Sequence, residues 1–361
     1  MPIISGMAAK ALEGYTGGRN RQSYGQCRLS EIGKAMDLLV VSYEPGAVGR
    51  NVVADGLGDA AEVVYLPDLA TAERRRALER AGIVLARNTA NELQADEWPL
   101  LSGLRLLQFV TAGIDFIPLG RLPAGVAVAF NGGGYAEPMA EHALAMALAA
   151  AKRLFIEHDN LTRAEFNQFT GNRLLAGMTL GILGFGGIGV ATARLMRPMV
   201  SAVHAINRRG ASNEPVDWIA TPDGLEALLA ASDLLLITTS LTRATRGMIG
   251  AAELAAMKPD AVLINLARGE IVDEIALYQH LVANPGFTAC IDAWWVEPVR
   301  HGEFRMDQPF MTLANVIASP HNSASVGGWR EIALARALAN CRRALGGETP
   351  HHLIGDDERI A

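Results

Sequence analysis

Thr179-Leu180-Gly181-Ile182-Leu183-Gly184-Phe185-Gly186-Gly187-Ile188-Gly189 decides how this chain folds. The first five residues are an apolar run of strand length, the glycine-spaced segment follows at once, and Val190 to Met199 reads as a helix. Each glycine has its own reason in a strand–turn–helix unit. Gly184 permits the tight turn, Gly186 lets the backbone approach a pyrophosphate, and Gly189 lets helix and strand pack closely. Phe185, Gly187 and Ile188 complete the turn, and the helix N-terminus offers free N–H groups and partial positive charge to phosphates. The glycine spacing alone is a weak signal; its position between a strand and a helix makes a dinucleotide the expected ligand.

Downstream of the turn, the next strand ends at Ile206, where an acid usually holds the adenosine ribose of NAD. Here Asn207 stands there, followed by Arg208 and Arg209. An acid would repel a 2′-phosphate, whereas a neutral amide beside two guanidiniums welcomes one. The expectation is therefore NADP(H). NAD(H) stays open, because Asn can also hold a ribose diol.

The same alternation runs through most of the chain. Short apolar runs at Leu38–Val41, Val63–Leu66, Ile83–Leu85, Leu106–Phe109 and Val126–Ala129 read as buried strands, with helical segments between most of them. A helix is expected from about Pro138 to Phe155. A second series follows at Leu180–Leu183, Val203–Ile206, Leu234–Ile237, Val262–Asn265, Thr288–Ile291 and Val316–Ala318. Two such blocks predict an α/β protein of two doubly wound parallel-sheet domains with a cleft between them. The coenzyme domain is a Rossmann fold over 138–323, and the other is flavodoxin-like. The last helical stretch, from about Gly328 to Leu345, comes after the coenzyme block. If it packs back onto the first block, that domain is discontinuous, over 36–137 and 324–361. Residues 1–35 read as a poorly ordered extension.

Composition bounds the function. A chain of 361 residues is long for one core. A net charge of -6 offers no basic face for nucleic acid. Cys27, Cys290 and Cys341 are far apart, form no metal-ligand spacing and fit a reduced compartment. With no membrane-length apolar run and no secretory pattern at the N-terminus, the expectation is a cytoplasmic protein without metal or membrane partner.

Three charged or titratable residues follow strands of the second block: Arg268 in Asn265-Leu266-Ala267-Arg268-Gly269, Glu297 in Asp292-Ala293-Trp294-Trp295-Val296-Glu297-Pro298, and His321 in Ser319-Pro320-His321-Asn322. Ligands of doubly wound sheets lie at the carboxyl ends of the strands. These segments resemble the D-isomer-specific 2-hydroxyacid dehydrogenase family, nearly everywhere from Met36 onward. The likeness includes Leu107-Gln108-Phe109-Val110-Thr111-Ala112-Gly113-Ile114-Asp115, Ala140-Glu141-His142 and Met257-Lys258-Pro259.

The resemblance implies an oxidoreductase passing a hydride between NADP(H) and a small 2-keto or 2-hydroxy acid, such as glyoxylate or hydroxypyruvate. Arg268 would hold the substrate carboxylate and polarise the C2 carbonyl, His321 would be the acid or base, and Glu297 would orient it. Thr239 and Leu266 would border the cofactor, and Asp292 would face the nicotinamide side. The loops Arg87-Asn88-Thr89 and Thr111-Ala112-Gly113 would offer backbone N–H groups to the substrate. A homodimer through the linking helix is typical of the family. His142 is expected to pack on that helix, and Trp294 and Trp295 to be core or cleft wall. An NAD-dependent phosphoglycerate dehydrogenase is the alternative. Formate dehydrogenases of this fold pair the histidine with Gln, against which Glu297 argues. A dinucleotide-sensing corepressor shares the fold, but this sequence lacks the long low-complexity tails such proteins carry.

Overall fold

The computed structural model describes residues 37–355. The extension expected over 1–35 lies outside the described residues. The chain forms two compact units, residues 37–134 with 326–355, and Tyr135–Ser325.

The first unit has five strands: β1 (Leu38–Val41), β2 (Glu62–Tyr65), β3 (Ala81–Ala86), β4 (Leu106–Phe109) and β5 (Ala127–Ala129). They pair in parallel in the order β2-β1-β3-β4-β5. This is the flavodoxin-like order, with the chain reversing direction across the sheet between β1 and β3. Strands read as unbroken apolar runs because both faces are covered. Leu38, Val40, Val84 and Leu107 enter one core, while Leu39, Val41, Ile83, Leu85 and Leu106 enter the other. Alternation of side chains along a strand produces that division. The helix Trp329–Leu345 closes the second face, packing Leu334, Ala337, Leu338 and Cys341 with Val53 and Leu57 of the helix Gly46–Leu57. The chain end thus completes a core begun at its start, which makes the unit discontinuous.

The second unit has seven strands: β6 (Thr179–Leu183), β7 (Ala202–Ile206), β8 (Trp218–Ala220), β9 (Leu234–Ile237), β10 (Val262–Asn265), β11 (Thr288–Ile291) and β12 (Val316–Ala318). All pair in parallel, in the order β12-β11-β10-β9-β6-β7-β8. The reversal falls between β6 and β9, and the glycine turn lies directly after β6. In an open α/β sheet this is where a ligand crevice forms.

Two details differ from the sequence reading. β8 is a three-residue edge strand of half-buried residues, Trp218-Ile219-Ala220, whose pattern carries no clear period. The single helix expected from Pro138 to Phe155 is two helices, Ala136–Ala151 and Leu154–Thr162. Arg153 breaks them by adopting φ +53°, with Lys152 Nζ bonded to the carbonyl of Arg173 at 2.7 Å. No Gly or Pro marks that break; a tertiary contact holds it.

Candidate active site

The glycine turn is shaped for close approach. Gly184 has φ +106°, and a Cβ there would lie 2.4 Å from the backbone nitrogen of Thr239. Gly189 sits over the turn itself, where a Cβ would lie 2.7 Å from the carbonyl oxygen of Gly184. Gly186 has open space beside it. The ten-residue helix Gly187–Met196 starts immediately afterwards, earlier than the sequence suggested. Backbone free of side chains, at the start of a helix and the switch point of the sheet, fits a pyrophosphate. Phe185 is buried in the core beneath, and Ile188 packs against the same core. Thr238 Oγ1 donates to the Gly184 carbonyl at 2.8 Å, which ties the loop containing Thr239 to the turn. Leu266 is buried, its N–H bonded to Ile237.

After β7, Asn207 holds its own turn. Its Oδ1 accepts from Arg209 N at 3.0 Å and its Nδ2 donates to Ala211 O at 3.0 Å. Arg208 and Arg209 are exposed at the strand end.

Across the sheet, His321 Nδ1 donates to Glu297 Oε1 at 2.8 Å. The same oxygen accepts the Trp294 N–H at 2.7 Å, and Glu297 is only 6% exposed. Burial is the largest single influence on this carboxyl and would raise its pKa. The hydrogen bond and charge of His321, the Trp294 N–H and the charge of Arg268 together outweigh it, so the group stays below the usual carboxylate range. An ionised carboxylate can only accept, which fixes a proton on Nδ1. The His321 ring remains partly open to solvent. His321 has φ +50°, a backbone conformation uncommon outside glycine.

The strain at His321 is held by Asp292. The His321 N–H bonds to the Asp292 carbonyl at 2.9 Å. The Asp292 carboxylate, 0% exposed, accepts from Ser319 Oγ (2.5 Å), Asn322 N (3.1 Å) and Ser323 N (3.3 Å). His142, expected merely to pack on its helix, reaches Ser319 Oγ with Nε2 at 3.0 Å. Because Ser319 gives its one proton to Asp292, it accepts from His142. Trp294 is buried with Nε1 on the Ser319 carbonyl, and Trp295 stacks on Phe310 with its Nε1 on the Val272 carbonyl.

Arg268 is partly buried just beyond β10. Asn265 organises that loop, its Nδ2 donating to the Arg268 carbonyl and its Oδ1 accepting from Ala267 N. Gly269 is required for a tertiary reason: a Cβ there would lie 2.4 Å from the backbone carbon of Trp294.

In the first unit one expectation needs correcting. The amides of Arg87 and Asn88 do not point to a free ligand site, because Glu92 already takes them at 3.2 and 2.5 Å. Glu92 also accepts from Ser42 Oγ at 2.6 Å, and Asn88 Oδ1 caps the following turn through Ala90 N. The carboxylate sits under the loop as an internal anion. The amides of Thr111, Ala112 and Gly113, in contrast, donate to no group among the described residues.

His301 stands in no recognisable motif, yet it supports the Glu297 loop. Its Nδ1 accepts the backbone N–H of Glu297 at 2.9 Å. A His four residues after the acid, on the short helix Pro298–His301, was the available signal. Among the described residues no group of three or more side chains could hold a metal, and no helix is long and apolar enough to cross a membrane.

Residues 144–323 match the NAD-binding domain of D-isomer specific 2-hydroxyacid dehydrogenases. The chain is 31% identical over 302 residues to glyoxylate/hydroxypyruvate reductase B of Pectobacterium atrosepticum, covering 82% of this chain and 89% of that one. It belongs to the D-isomer specific 2-hydroxyacid dehydrogenase family. This dehydrogenase is an NAD(P)-dependent oxidoreductase, and the matched domain contains the glycine turn, Arg268, Glu297 and His321. A D-3-phosphoglycerate dehydrogenase of Archaeoglobus fulgidus is 30% identical over 226 residues, 62% of this chain and 42% of that one. Among solved structures, a D-isomer specific 2-hydroxyacid dehydrogenase from Xanthobacter autotrophicus Py2, complexed with NADPH and MES, shares the fold. Its TM-score is 0.73 at 21% identity, over 90% of this dehydrogenase and all of that chain.

Proposed function

We propose that this dehydrogenase reduces a small 2-keto acid, glyoxylate or hydroxypyruvate, with NADPH. The observation that carries the reading is the His321–Glu297 pair at 2.8 Å beside Arg268. Bound nicotinamide supplies hydride to C2. Arg268 presents planar donors that suit a carboxylate and polarise the adjacent carbonyl. His321 gives the proton from Nε2 to the carbonyl oxygen as that oxygen becomes a hydroxyl, and takes it back in oxidation. Glu297 keeps the Nδ1 proton in place and stabilises the charged ring throughout.

The exposed Arg208 and Arg209 after β7 support NADPH over NADH. In the first unit, the amides of Thr111, Ala112 and Gly113 donate to no group among the described residues, which supports their offering N–H groups to an anion. Leu154, Phe155, Leu161, Phe166, Phe169 and Leu174 are exposed in one stretch of the second unit, with Phe169 at 87%. A surface this apolar supports a homodimer, which light scattering would measure. A cytoplasmic setting agrees with two buried, unpaired cysteines, Cys290 and Cys341.

Relatedness to a phosphoglycerate dehydrogenase supports a second reading, an NAD-dependent enzyme of that type. One panel tests both: glyoxylate, hydroxypyruvate and phosphohydroxypyruvate, each with NADPH and NADH. Highest kcat/KM with a small keto acid and NADPH supports the first reading. Preference for the phosphorylated acid and NADH replaces it with the second.

A further inference from the structure

Two charged residues near the site have no part in the reaction as derived above. Glu270 follows Arg268 by two positions, and Arg300 follows Glu297 by three. Their side chains are 14% and 10% exposed. They meet in a fork, with Arg300 Nη1 donating to Oε2 at 2.8 Å and Nη2 to Oε1 at 2.6 Å. Arg246 lies further out, 3.8 Å from Glu270 Oε1 and largely exposed.

We infer that Glu270 and Arg300 are a positioning pair that fixes the Arg268 loop against the Glu297 loop, an inference that rests on the proposed reduction. Arg268 and Glu297 lie on separate loops, after β10 and β11, and their relative position is the geometry the chemistry needs. Gly269 brings the loops into backbone contact at Trp294, and Trp295 Nε1 reaches the Val272 carbonyl at 2.8 Å. These contacts set the distance between the loops. A planar guanidinium on a planar carboxylate also fixes angle, because two parallel hydrogen bonds allow one orientation. Arg300 stands on the same short helix as His301, which holds the Glu297 N–H. A shift at Arg300 therefore passes directly to the carboxylate beside His321.

Buried pairs can often be replaced by apolar residues without loss of stability, though not necessarily with the same geometry. That separates positioning from support. The variants are Arg300→Lys and the double variant Glu270→Met with Arg300→Met. They are read by thermal melting, keto-acid kinetics, and the low-field proton resonance of His321 Nδ1–H, assigned by its upfield shift in Glu297→Gln. For a positioning pair, the double variant melts near the parent. Its KM rises about tenfold or more, since misplacement of this order is costly, and the low-field resonance shifts or broadens. Arg300→Lys keeps the charge, loses the fork and shows the same split in milder form. Unchanged KM and an unchanged resonance in both variants overturn the inference. Should the double variant not fold, Arg300→Lys alone decides. If the parent reduces no keto acid, the proposed reduction fails, while the resonance still reports whether the pair positions Glu297.

Discussion

Replacing Glu297 with Gln removes a charge and almost no volume. Oε1 accepts two N–H groups, from Trp294 at 2.7 Å and His321 at 2.8 Å, so the amide must present its oxygen there and keep both contacts. What changes is their strength. A hydrogen bond involving a charged group contributes about 1.5–3 kcal/mol and a neutral one about 0.5–1.5. The His321 bond therefore weakens by about 1–1.5 kcal/mol, and the loss falls mainly on the protonated ring. Because about 1.4 kcal/mol is one pH unit, the acidic limb of hydroxy-acid oxidation, where His321 must be neutral, moves about one unit to lower pH. The alkaline limb of keto-acid reduction moves the same way, so kcat/KM at a fixed pH on that limb falls roughly tenfold. Initial rates in both directions from pH 4 to 10 provide the assay. If both limbs stay in place while kcat falls, Glu297 is not acting through the charge of His321.

Gly184→Ala forces a Cβ to 2.4 Å from Thr239 N at φ +106°. Strain of about 1–2 kcal/mol and overpacking of about 1–3 kcal/mol predict a lower melting temperature and weakened NADPH binding in a fluorescence titration; parent-like binding would show that the turn tolerates a side chain. Asn207→Asp places a negative charge before Arg208 and Arg209 and should shift the kcat/KM ratio towards NADH. A ratio that does not move removes the basis for the NADPH assignment. His352 offers a stability test. Burial first, then the charges of His351 and Arg336, hold its pKa down at about 4 against an ordinary 6.5. The folded protein thus binds fewer protons, so stability present above pH 6.5 is lost as pH falls towards 4, by up to about 3 kcal/mol. Denaturant melts of His352→Leu should show a shallower decline over that window; equal slopes would mean that the ring is not held neutral.

The strands, and the placement of Arg268, Glu297 and His321 beyond strand ends, were legible because each signal is local. Apolar runs such as Leu234–Ile237 are buried on both sides of a sheet and need no distant partner to be recognised. Arg268 and His321 come three residues after such a run and Glu297 six, and the topology that orders β10, β11 and β12 side by side places their loops at one edge. The edge strand β8 was missed because its three half-buried residues carry no pattern. The break at Arg153 was missed because no residue there favours it locally.

Groups that work through partners far along the chain were equally hidden. Glu92 reads as an ordinary helix acid until Ser42, fifty residues away, and the Arg87–Asn88 amides close around it. Glu270 meets Arg300 thirty residues on, and His142 meets Ser319 across 177. The glycine turn was different. Sequence alone determined that a strand, a side-chain-free turn and a helix would follow one another, since backbone sterics at Gly184 and Gly186 act within a few bonds. Only the tertiary structure decided that a Cβ at Gly184 would strike Thr239, that Asp292 holds His321 at φ +50°, and that Arg87 and Asn88 already have an anion. Those outcomes depend on which loops the sheet order brings together, and no local pattern encodes that.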